Sequence, residues 1–443
     1  MMQVDLLVDG GPLLPMDASG SFFPDGAVAV AGGRIAAVGD RREVRARVTA
    51  AERLNASGKA ILPGFVNCHG HAGMILLRGL AEEFPLQRWL SQTVWPLMQH
   101  AGPEETYAGA RLACAEMIRA GITSFADMWR DIPATLQAVA ESGLRARLAF
   151  NMRDFSDPDR LESEWTSGLD AVAARKPTPL VCYGLAPHSL YACSDSLLRR
   201  CADTVEKLGC HLQIHLAETE RETLECRATY GRSPVERLED LGLLGSRTLL
   251  AHGVWLDDAD CDRVSRAGAA IAHNVTSNLK LASGIAPLVR FQQAGVMMGL
   301  GTDSAASNNV LDPFREMKYA ALVQRAAHRD PTLWPPRSIL AAATRNGAQA
   351  LGLGDEAGSL EVGKYADLIL LDLDKPHLAP SNAGDADTFM GLIVFAATAQ
   401  DVDTTIVGGR ILMRSRRVLS LDTKVVMQAA QAASLRLLQR AAV

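Results

Sequence analysis

Two histidines, His69 and His71, are separated by one residue and follow the apolar run 60–62 and a Pro-Gly step. In a β-strand, side chains at positions i and i+2 point to the same side, so both imidazoles would face one point. Imidazole is a common zinc ligand, and a catalytic zinc takes about three protein ligands. The pair alone is a weak signal and is more typical of two polar residues at a strand end, so a metal site requires further ligands downstream.

Further candidate ligands stand at the ends of later apolar runs. Six of the ten histidines occupy such positions, and an aspartate ends the last run. If these runs are parallel strands of a barrel, their carboxyl-terminal ends meet at the face where barrel enzymes carry their active sites. The pattern predicts a metal site at that face, formed from the set His69, His71, His188, His215, His252, His273 and Asp303.

Some of these positions have a structural explanation as well. His273 is equally well explained as a polar strand end that bonds to a loop, and His211 begins its run, at the opposite end of the strand. Glu218 follows His215 by three residues. It is either a first-turn residue favoured by the helix dipole or a general acid/base that reaches the same metal site. The short spacing favours the catalytic interpretation.

The elements that position these residues follow from the hydrophobic pattern. Between about residues 62 and 370, eight short apolar runs alternate mostly with helical segments, which predicts an α/β fold with a (β/α)8 TIM barrel. We expect the barrel at 63–365. The β-rich ends, 1–62 and 366–443, should pair into a small β-sandwich, and the amphipathic segment 425–441 should form a helix against it.

Composition narrows the class of protein. The chain has 443 residues, 48% of them hydrophobic, and a net charge of -5 without a basic block, which argues against nucleic acid as a partner. It has no apolar stretch of membrane-spanning length and no signal-peptide pattern at the N-terminus. Its eight cysteines lack paired spacing. We therefore expect a cytoplasmic protein with reduced thiols.

Several longer motifs resemble one family. The strings HGH (69–71), HLAE (215–218), LLAH (249–252) and TDSAASNN (302–309) are similar to those of the amidohydrolase superfamily, and the likeness covers nearly the whole chain. The strings LLRGLAEEFPLQRWL, SNLKLASGIAPL and GTDSAASNN resemble its aminohydrolase branch. That branch includes methylthioadenosine/S-adenosylhomocysteine deaminases, guanine-type deaminases and s-triazine hydrolases.

The resemblance implies a role for each matching residue. It makes Glu218 the proton shuttle, and it makes His252 a partner that polarises the substrate or the bound water. His188 would contact the substrate, and Trp89 would form part of the wall of the substrate pocket. The implied metal ligands are His69, His71, His215 and Asp303.

The number of metal ions expected at the site depends on whether the chain has a lysine that could bridge two of them. Two-metal members of the superfamily add a carboxylated lysine that bridges the ions at the end of the fourth strand. Between His71 and His215 this chain has only Lys176, which precedes its apolar run, and Lys207, which lies in a helical segment. We therefore expect one divalent metal ion. Zinc is the expected metal, although iron accepts the same ligands.

The expected substrate is a small heterocycle, and two sites bear on its identity. In adenosine-type members a glutamate binds the ribose hydroxyls two residues past a proline, where this chain has Met98. Arg160 resembles one arginine that holds a homocysteine carboxylate, while the second aligns near Phe150, with Arg153 out of register. The sequence therefore favours a free base, a pterin or a triazine as the substrate more than it would if the ribose-binding glutamate were present.

Three hypotheses follow. The first is a metal-dependent deaminase, a hydrolase of C–N bonds in cyclic amidines, acting through an activated water on a purine- or adenosine-like ring that includes methylthioadenosine and S-adenosylhomocysteine. The second is an s-triazine amino- or chlorohydrolase. The third is a catalytically inactive structural relative, which the complete ligand set disfavours. By analogy with the family, a homodimer is the expected assembly.

Overall fold

The computed structural model describes residues 1–443 except 81, 155–161, 163–164, 167, 170–171, 173–177, 382–383 and 442–443. In this part of the chain, seventeen strands form two sheets. In chain order the strands are β1 Met2–Leu13, β2 Phe23–Ala31, β3 Arg34–Asp40, β4 Val48–Asn55, β5 Lys59–Pro63, β6 Phe65–Asn67, β7 Ile122–Trp129, β8 Arg145–Met152, β9 Val181–Pro187, β10 His211–Leu216, β11 Thr248–His252, β12 Ala270–His273, β13 Met297–Leu300, β14 Leu368–Asp372, β15 Val402–Val407, β16 Arg410–Arg414 and β17 Arg417–Val418.

Helices follow most strands of the central region. Within the described residues the α-helices are α1 Arg41–Arg47, α2 Leu86–Trp89, α3 Trp95–Met98, α4 Pro103–Arg119, α5 Ile132–Ser142, α6 Asp195–Leu208, α7 Glu220–Tyr230, α8 Pro234–Asp240, α9 Asp258–Ala267, α10 Val275–Lys280, α11 Leu288–Ala294, α12 Pro313–His328, α13 Pro336–Ala342, α14 Arg345–Ala350, α15 Ala386–Phe395 and α16 Thr423–Ala441. Short 3-10 segments occupy Ala72–Leu77, Pro376–Leu378 and Ala399–Asp401, and Leu90–Val94 is a π-helical turn.

Eight parallel strands, β6 to β13, form the barrel in sequence order. Its two edge strands meet where the Cys68 N–H donates to the Leu300 carbonyl at 2.8 Å, so the sheet is nearly closed. Barrel strands are covered on both faces, and all eight residues of β7 are accordingly buried. The predicted (β/α)8 barrel is confirmed.

Local sequence sets the bounds of the helices that follow the strands. Ser194 caps α6 by accepting the Leu197 N–H, and the residue after its last helical residue is Gly209, whose φ of 62° is left-handed. Ser, Thr, Asp and Asn stabilise helix starts in this way, and glycine adopts the left-handed ending without a Cβ clash. These short-range signals set where the helix begins and where it ends, before the chain enters the next strand of the barrel.

The two ends of the chain combine in a separate mixed sheet of nine strands. Strand β1 pairs antiparallel with β2 and parallel with β4, and the antiparallel pair β5–β14 joins the N-terminal strands to the C-terminal ones. A buried ion pair, Arg145 Nε to Asp367 Oδ2 at 2.8 Å, links barrel strand β8 to the segment before β14. The predicted partnership of the two ends is confirmed, and the domain boundaries at 62/63 and 365/366 stay predictions.

The C-terminal helix α16 has a different neighbour from the expected one. It packs against barrel helix α4, the 3-10 segment Ala72–Leu77 and α3. The Ser434 hydroxyl donates to the Leu76 carbonyl at 2.7 Å, and Arg436 pairs with Glu105 at 3.1 Å. The prediction that this helix lies against the β-rich domain was therefore wrong, because an amphipathic pattern identifies a buried face but not its partner.

No helix in the described part of the chain combines the length and the apolar character needed to span a bilayer.

Candidate active site

His71 and His215 face each other across the carboxyl-terminal face of the barrel. The Nδ1 atom of His71 bonds to the Met128 carbonyl at 2.9 Å, and that of His215 bonds to the His188 carbonyl at 2.6 Å. A carbonyl accepts only, so both Nδ1 atoms carry the proton and, in the neutral rings, both Nε2 atoms present lone pairs. These two Nε2 atoms are 3.2 Å apart. Facing lone pairs repel, and a cation bound by both nitrogens would remove this repulsion.

Asp303 and His69 complete this cluster. Asp303 Oδ1 is 3.4 Å from His71 Nε2 and 3.6 Å from His69 Nε2. The other oxygen of Asp303 accepts the hydroxyls of Ser277 and Ser307 at 2.6 and 2.8 Å. His69 is fully buried, and neither of its ring nitrogens has a hydrogen-bond partner among the described residues. Three imidazoles and one carboxylate fit a divalent metal ion of the zinc type.

The charges in this cluster are consistent with that fit. Burial lowers the pKa of His69 well below its usual value, and burial also lowers that of His215 to about 3, so both rings are neutral and able to act as ligands. Burial alone would raise the pKa of Asp303, but the positive charge that His71 and His69 carry when protonated, together with the hydrogen bond from the Ser277 hydroxyl, holds this pKa below its ordinary value. Asp303 is therefore ionised.

Glu218 stands at the rim of this cluster, between β10 and α7. Its side chain is 2% exposed, and burial, with a contribution from the Asp303 charge, raises the pKa of Glu218 well above its ordinary value. Its Oε2 atom is 3.7 Å from His252 Nε2, and the Ser283 hydroxyl lies 3.5 Å from its Oε1. A carboxyl group with a raised pKa that shares a site with one of lowered pKa is the arrangement of an acid/base pair.

His252 is held in one orientation. Its Nδ1 atom bonds to Asn278 Oδ1 at 2.8 Å, so Nδ1 donates and Nε2 points toward Glu218 with a lone pair. The residue has a φ of 79°, in the left-handed region that non-glycine residues rarely adopt. Backbone strain of this kind is concentrated at functional sites.

A cavity of about 370 Å³ opens above these residues. His71, His215, Glu218, His252 and Asp303 line its floor. Apolar and aromatic side chains line its walls, as is typical of a site for a small organic molecule. The apolar and aromatic wall residues include Met74, Leu86, Trp89, Leu90, Val94, Trp95, Met98, Met128, Trp129, Met152 and Leu281.

The structure brings most of the predicted substrate-binding residues to this cavity. Trp89, Met98 and His188 all line it and are at most 9% exposed. The predicted site residue Arg160 lies outside the described residues, as does Lys176. His273 is buried at the end of β12, and neither of its ring nitrogens has a hydrogen-bond partner among the described residues.

Two prominent wall residues were not among the predicted site residues. Trp95 and Arg153 both line the cavity, with the guanidinium of Arg153 4.4 Å from the centroid of the Trp95 ring. Trp95 also meets the edge of His188, with ring centroids 6.1 Å apart. Arg153 directly follows barrel strand β8, so the rule applied to the histidines, that strand ends carry the site, would have found it.

Fold and site together define a (β/α)8 barrel protein whose carboxyl-terminal face carries a centre of histidines and an aspartate suited to a divalent metal. A sequence model described as "Amidohydrolase family" matches residues 60–412. The chain belongs to the amidohydrolase family.

Several proteins that are similar to this chain have names that describe a reaction. A 5-methylthioadenosine/S-adenosylhomocysteine deaminase of Syntrophobacter fumaroxidans is 40% identical over 96% of this chain and 97% of its own. The crystal structure of an adenosine deaminase from Xanthomonas campestris with bound zinc has a TM-score of 0.94 and 32% identity, covering 99% of both chains. The atrazine chlorohydrolase TrzN of Arthrobacter aurescens, complexed with zinc, has a TM-score of 0.87 and 25% identity, covering 97% of this chain and all of the other.

These comparisons bear on the predicted class. The resemblance to the aminohydrolase branch is confirmed, and so is the prediction of a hydrolase in the deaminase class that acts on C–N bonds of cyclic amidines. The donor set and the zinc in the related structures indicate a divalent metal ion.

Proposed function

We propose that the protein is a zinc-dependent hydrolytic deaminase that removes the exocyclic amino group from the adenine ring of an adenosine-type nucleoside such as 5'-methylthioadenosine or S-adenosylhomocysteine. One observation carries the proposal. Glu218, whose pKa is raised by burial and by the Asp303 charge, lines the same mostly apolar cavity as Asp303 and the histidines of the donor set, with its Oε2 atom 3.7 Å from His252 Nε2.

The metal donors are proposed to be His69, His71, His215 and Asp303. When bound there, one zinc ion supplies a water molecule that is nucleophilic at neutral pH. The carbonyls on Nδ1 of His71 and His215 orient both rings and fix their tautomers, as the partners of metal-bound histidines do in other proteins. Ser277 and Ser307 hold Asp303 in the same way through its second oxygen.

The proton steps use Glu218, Asp303 and His252. Asp303 is ionised and takes a proton from the attacking water at Oδ1. Glu218, whose pKa is raised, donates its proton to a ring nitrogen, so that the attacked carbon becomes electrophilic. The resulting carboxylate then takes the proton of the added hydroxyl group and passes it to the amino group, so that ammonia leaves as the C–N bond breaks and the C=O bond forms. The proton that Asp303 took from the water returns to Glu218 and restores the starting state. His252 Nε2 bears a lone pair and accepts a hydrogen bond from the same water, which fixes its direction of attack.

The walls bind the ring. Trp89 and Trp95 offer flat apolar surface for a heteroaromatic base, and the buried His188 ring, between Trp95 and His215, can contact its edge. Arg160, as a holder of a carboxylate on the substrate, stays a prediction. The cytoplasmic location and the homodimer also stay predictions.

A second candidate is an s-triazine hydrolase, and the chemistry of one wall residue favours it. Met98 is apolar and 8% exposed, and its thioether offers only a weak acceptor where a ribose-binding carboxylate is expected. A free heterocycle needs no such acceptor. The inactive relative is disfavoured, because the acid/base pair and the donor set are both complete.

A substrate panel tests the proposal. Ammonia release by the zinc-loaded protein is measured with 5'-methylthioadenosine, S-adenosylhomocysteine, adenosine, guanine, a pterin and melamine, and chloride release with atrazine. We expect the adenosine-type compounds to have the highest kcat/KM. Turnover of melamine or atrazine alone would establish the triazine alternative, and no turnover of any compound by the metal-loaded protein would overturn both.

A further inference from the structure

The turn that carries Glu218 has an unusual backbone. Ala217, between strand β10 and helix α7, has a φ of 49°, in the left-handed region that alanine rarely adopts. A left-handed alanine persists only where its surroundings hold it. The question is which groups hold this turn, because they also set where the Glu218 carboxyl points.

One side chain binds both peptide groups of the turn. The Oε1 atom of Glu222 accepts the Ala217 N–H at 3.0 Å, and its Oε2 atom accepts the Glu218 N–H at 3.0 Å. On the other side, the Ala217 carbonyl accepts the Trp255 N–H at 2.9 Å. Glu222 therefore fixes the peptide groups on both sides of the left-handed Cα, and the direction of the Glu218 side chain depends on them.

An ordinary helix cap does not explain this contact. Thr219 is the N-cap of α7, and Glu222 is its third helical residue, the spacing of a capping box. In that motif the acidic side chain accepts the N–H of the cap residue itself. Here Thr219 Oγ1 accepts the Glu222 N–H at 3.3 Å, but the carboxylate reaches past Thr219 to the two residues before it.

Burial of the Glu222 carboxyl group also costs free energy unless hydrogen bonds satisfy it. Its side chain is 4% exposed, close to a second buried carboxyl group on Glu218. Burial raises the pKa of Glu222 to about 7, against the effect of the two N–H donors. A buried carboxyl group is tolerated when hydrogen bonds satisfy its oxygens, and both oxygens of Glu222 are satisfied by the N–H groups of this turn.

We propose that Glu222 is a positioning residue that acts through Glu218, by holding the two N–H groups that orient the Glu218 carboxyl toward His252. This inference rests on the proposed function, because it assigns a role within that reaction. Glu222 is not among the residues that line the cavity, so its effect on the reaction would pass through Glu218.

The test is a double-mutant cycle on zinc-loaded protein with 5'-methylthioadenosine as substrate. Glu222→Gln keeps the volume but replaces one acceptor oxygen by an NH2 that faces an N–H. We expect kcat to fall by at least about tenfold with KM and zinc content nearly unchanged, as for a lost transition-state interaction. In a Glu218→Gln background the same change should lower kcat by less than about twofold, because coupled residues are not additive.

The matched control is Glu220→Gln, which removes the same charge from the same helical turn at an exposed residue. Its kcat should stay within about twofold of the wild type in both backgrounds. If Glu222→Gln does not fold, Glu222→Asp takes its place in the cycle, because it keeps both oxygens but is one methylene too short to hold both N–H groups.

The outcomes separate this inference from the proposed function. Equal losses from the Glu222 change in the wild-type and Glu218→Gln backgrounds, or no loss in the wild type, overturn the positioning role within a working deaminase. A wild type that releases no ammonia from 5'-methylthioadenosine, or a Glu218→Gln protein of undiminished activity, instead overturns the proposed reaction.

Discussion

His71 Nε2 and His215 Nε2 face each other at 3.2 Å while a backbone carbonyl holds the opposite nitrogen of each ring. Without a cation these lone pairs repel, and with one they are ligands already in place. The two rings come from opposite parts of the barrel, since His71 follows β6 and His215 belongs to β10. A metal ion here would therefore tie together distant strands of the sheet.

Removal of the metal should destabilise the fold. A ligand at a hundredfold excess over its Kd stabilises the native state by about 2.7 kcal/mol. We expect chelation to lower the Tm of the wild type by several degrees and zinc to restore it. His71→Ala should abolish this shift, whereas His211→Ala, at the opposite end of the strand that carries His215, should keep it. A chelation shift that survives in His71→Ala would contradict the assignment of this ligand.

The buried carboxyl group of Glu316 should make stability depend on pH. Burial raises the pKa of Glu316 to about 7 from the ordinary 4.5, against the hydrogen bonds from Thr276 and Asn308. The folded state therefore binds this proton more tightly than the unfolded state, so stability is lost as pH rises from about 4.5 to about 7. The free energy of unfolding of the zinc-loaded protein, measured from about pH 5 to 8, should fall less steeply for Glu316→Gln. Parallel curves for the two proteins would show that Glu316 does not titrate in this range.

Met98 should make the ribose 2'-hydroxyl unimportant. A hydrogen bond to a charged acceptor contributes roughly 1.5–3 kcal/mol, and methionine offers no such acceptor. We expect similar kcat/KM values for adenosine and 2'-deoxyadenosine in the wild type and in Met98→Leu. Met98→Glu should introduce a preference for the ribonucleoside of about tenfold or more. Such a preference already present in the wild type would mean that another residue binds the hydroxyl.

The site was largely predictable because its signal is local. The proposed ligands lie at or just beyond the carboxyl ends of strands, with His69 and His71 after β6, His215 near the end of β10 and Asp303 after β13. Reading the ends of the apolar runs therefore indicated them as candidates, and the family resemblance selected them as the expected ligands. The turn that orients Glu218 was not predictable in the same way. The left-handed φ of Ala217 and the contact of Glu222 with two backbone N–H groups depend on the folded path of the chain.

The partners of surface elements were harder to predict than the elements themselves. Helix α16 was recognised from its periodicity, but its contact with α4 depends on the path of the preceding strands. Trp95 likewise reaches the cavity only because the π-helical turn Leu90–Val94 and α3 fold over the barrel mouth. Hydrophobic periodicity indicates which face is buried and does not encode which surface covers it.

The most direct test of the central claim compares wild type and Glu218→Gln at equal zinc content, with ammonia release from 5'-methylthioadenosine as the readout. Glu218 is the buried carboxyl group of raised pKa whose Oε2 atom lies 3.7 Å from His252 Nε2, and glutamine keeps its shape without a transferable proton. We predict a fall in kcat of at least about a hundredfold, the usual contribution of a general acid/base, with the Tm and the zinc content retained. Turnover close to that of the wild type in the zinc-loaded variant would contradict the account.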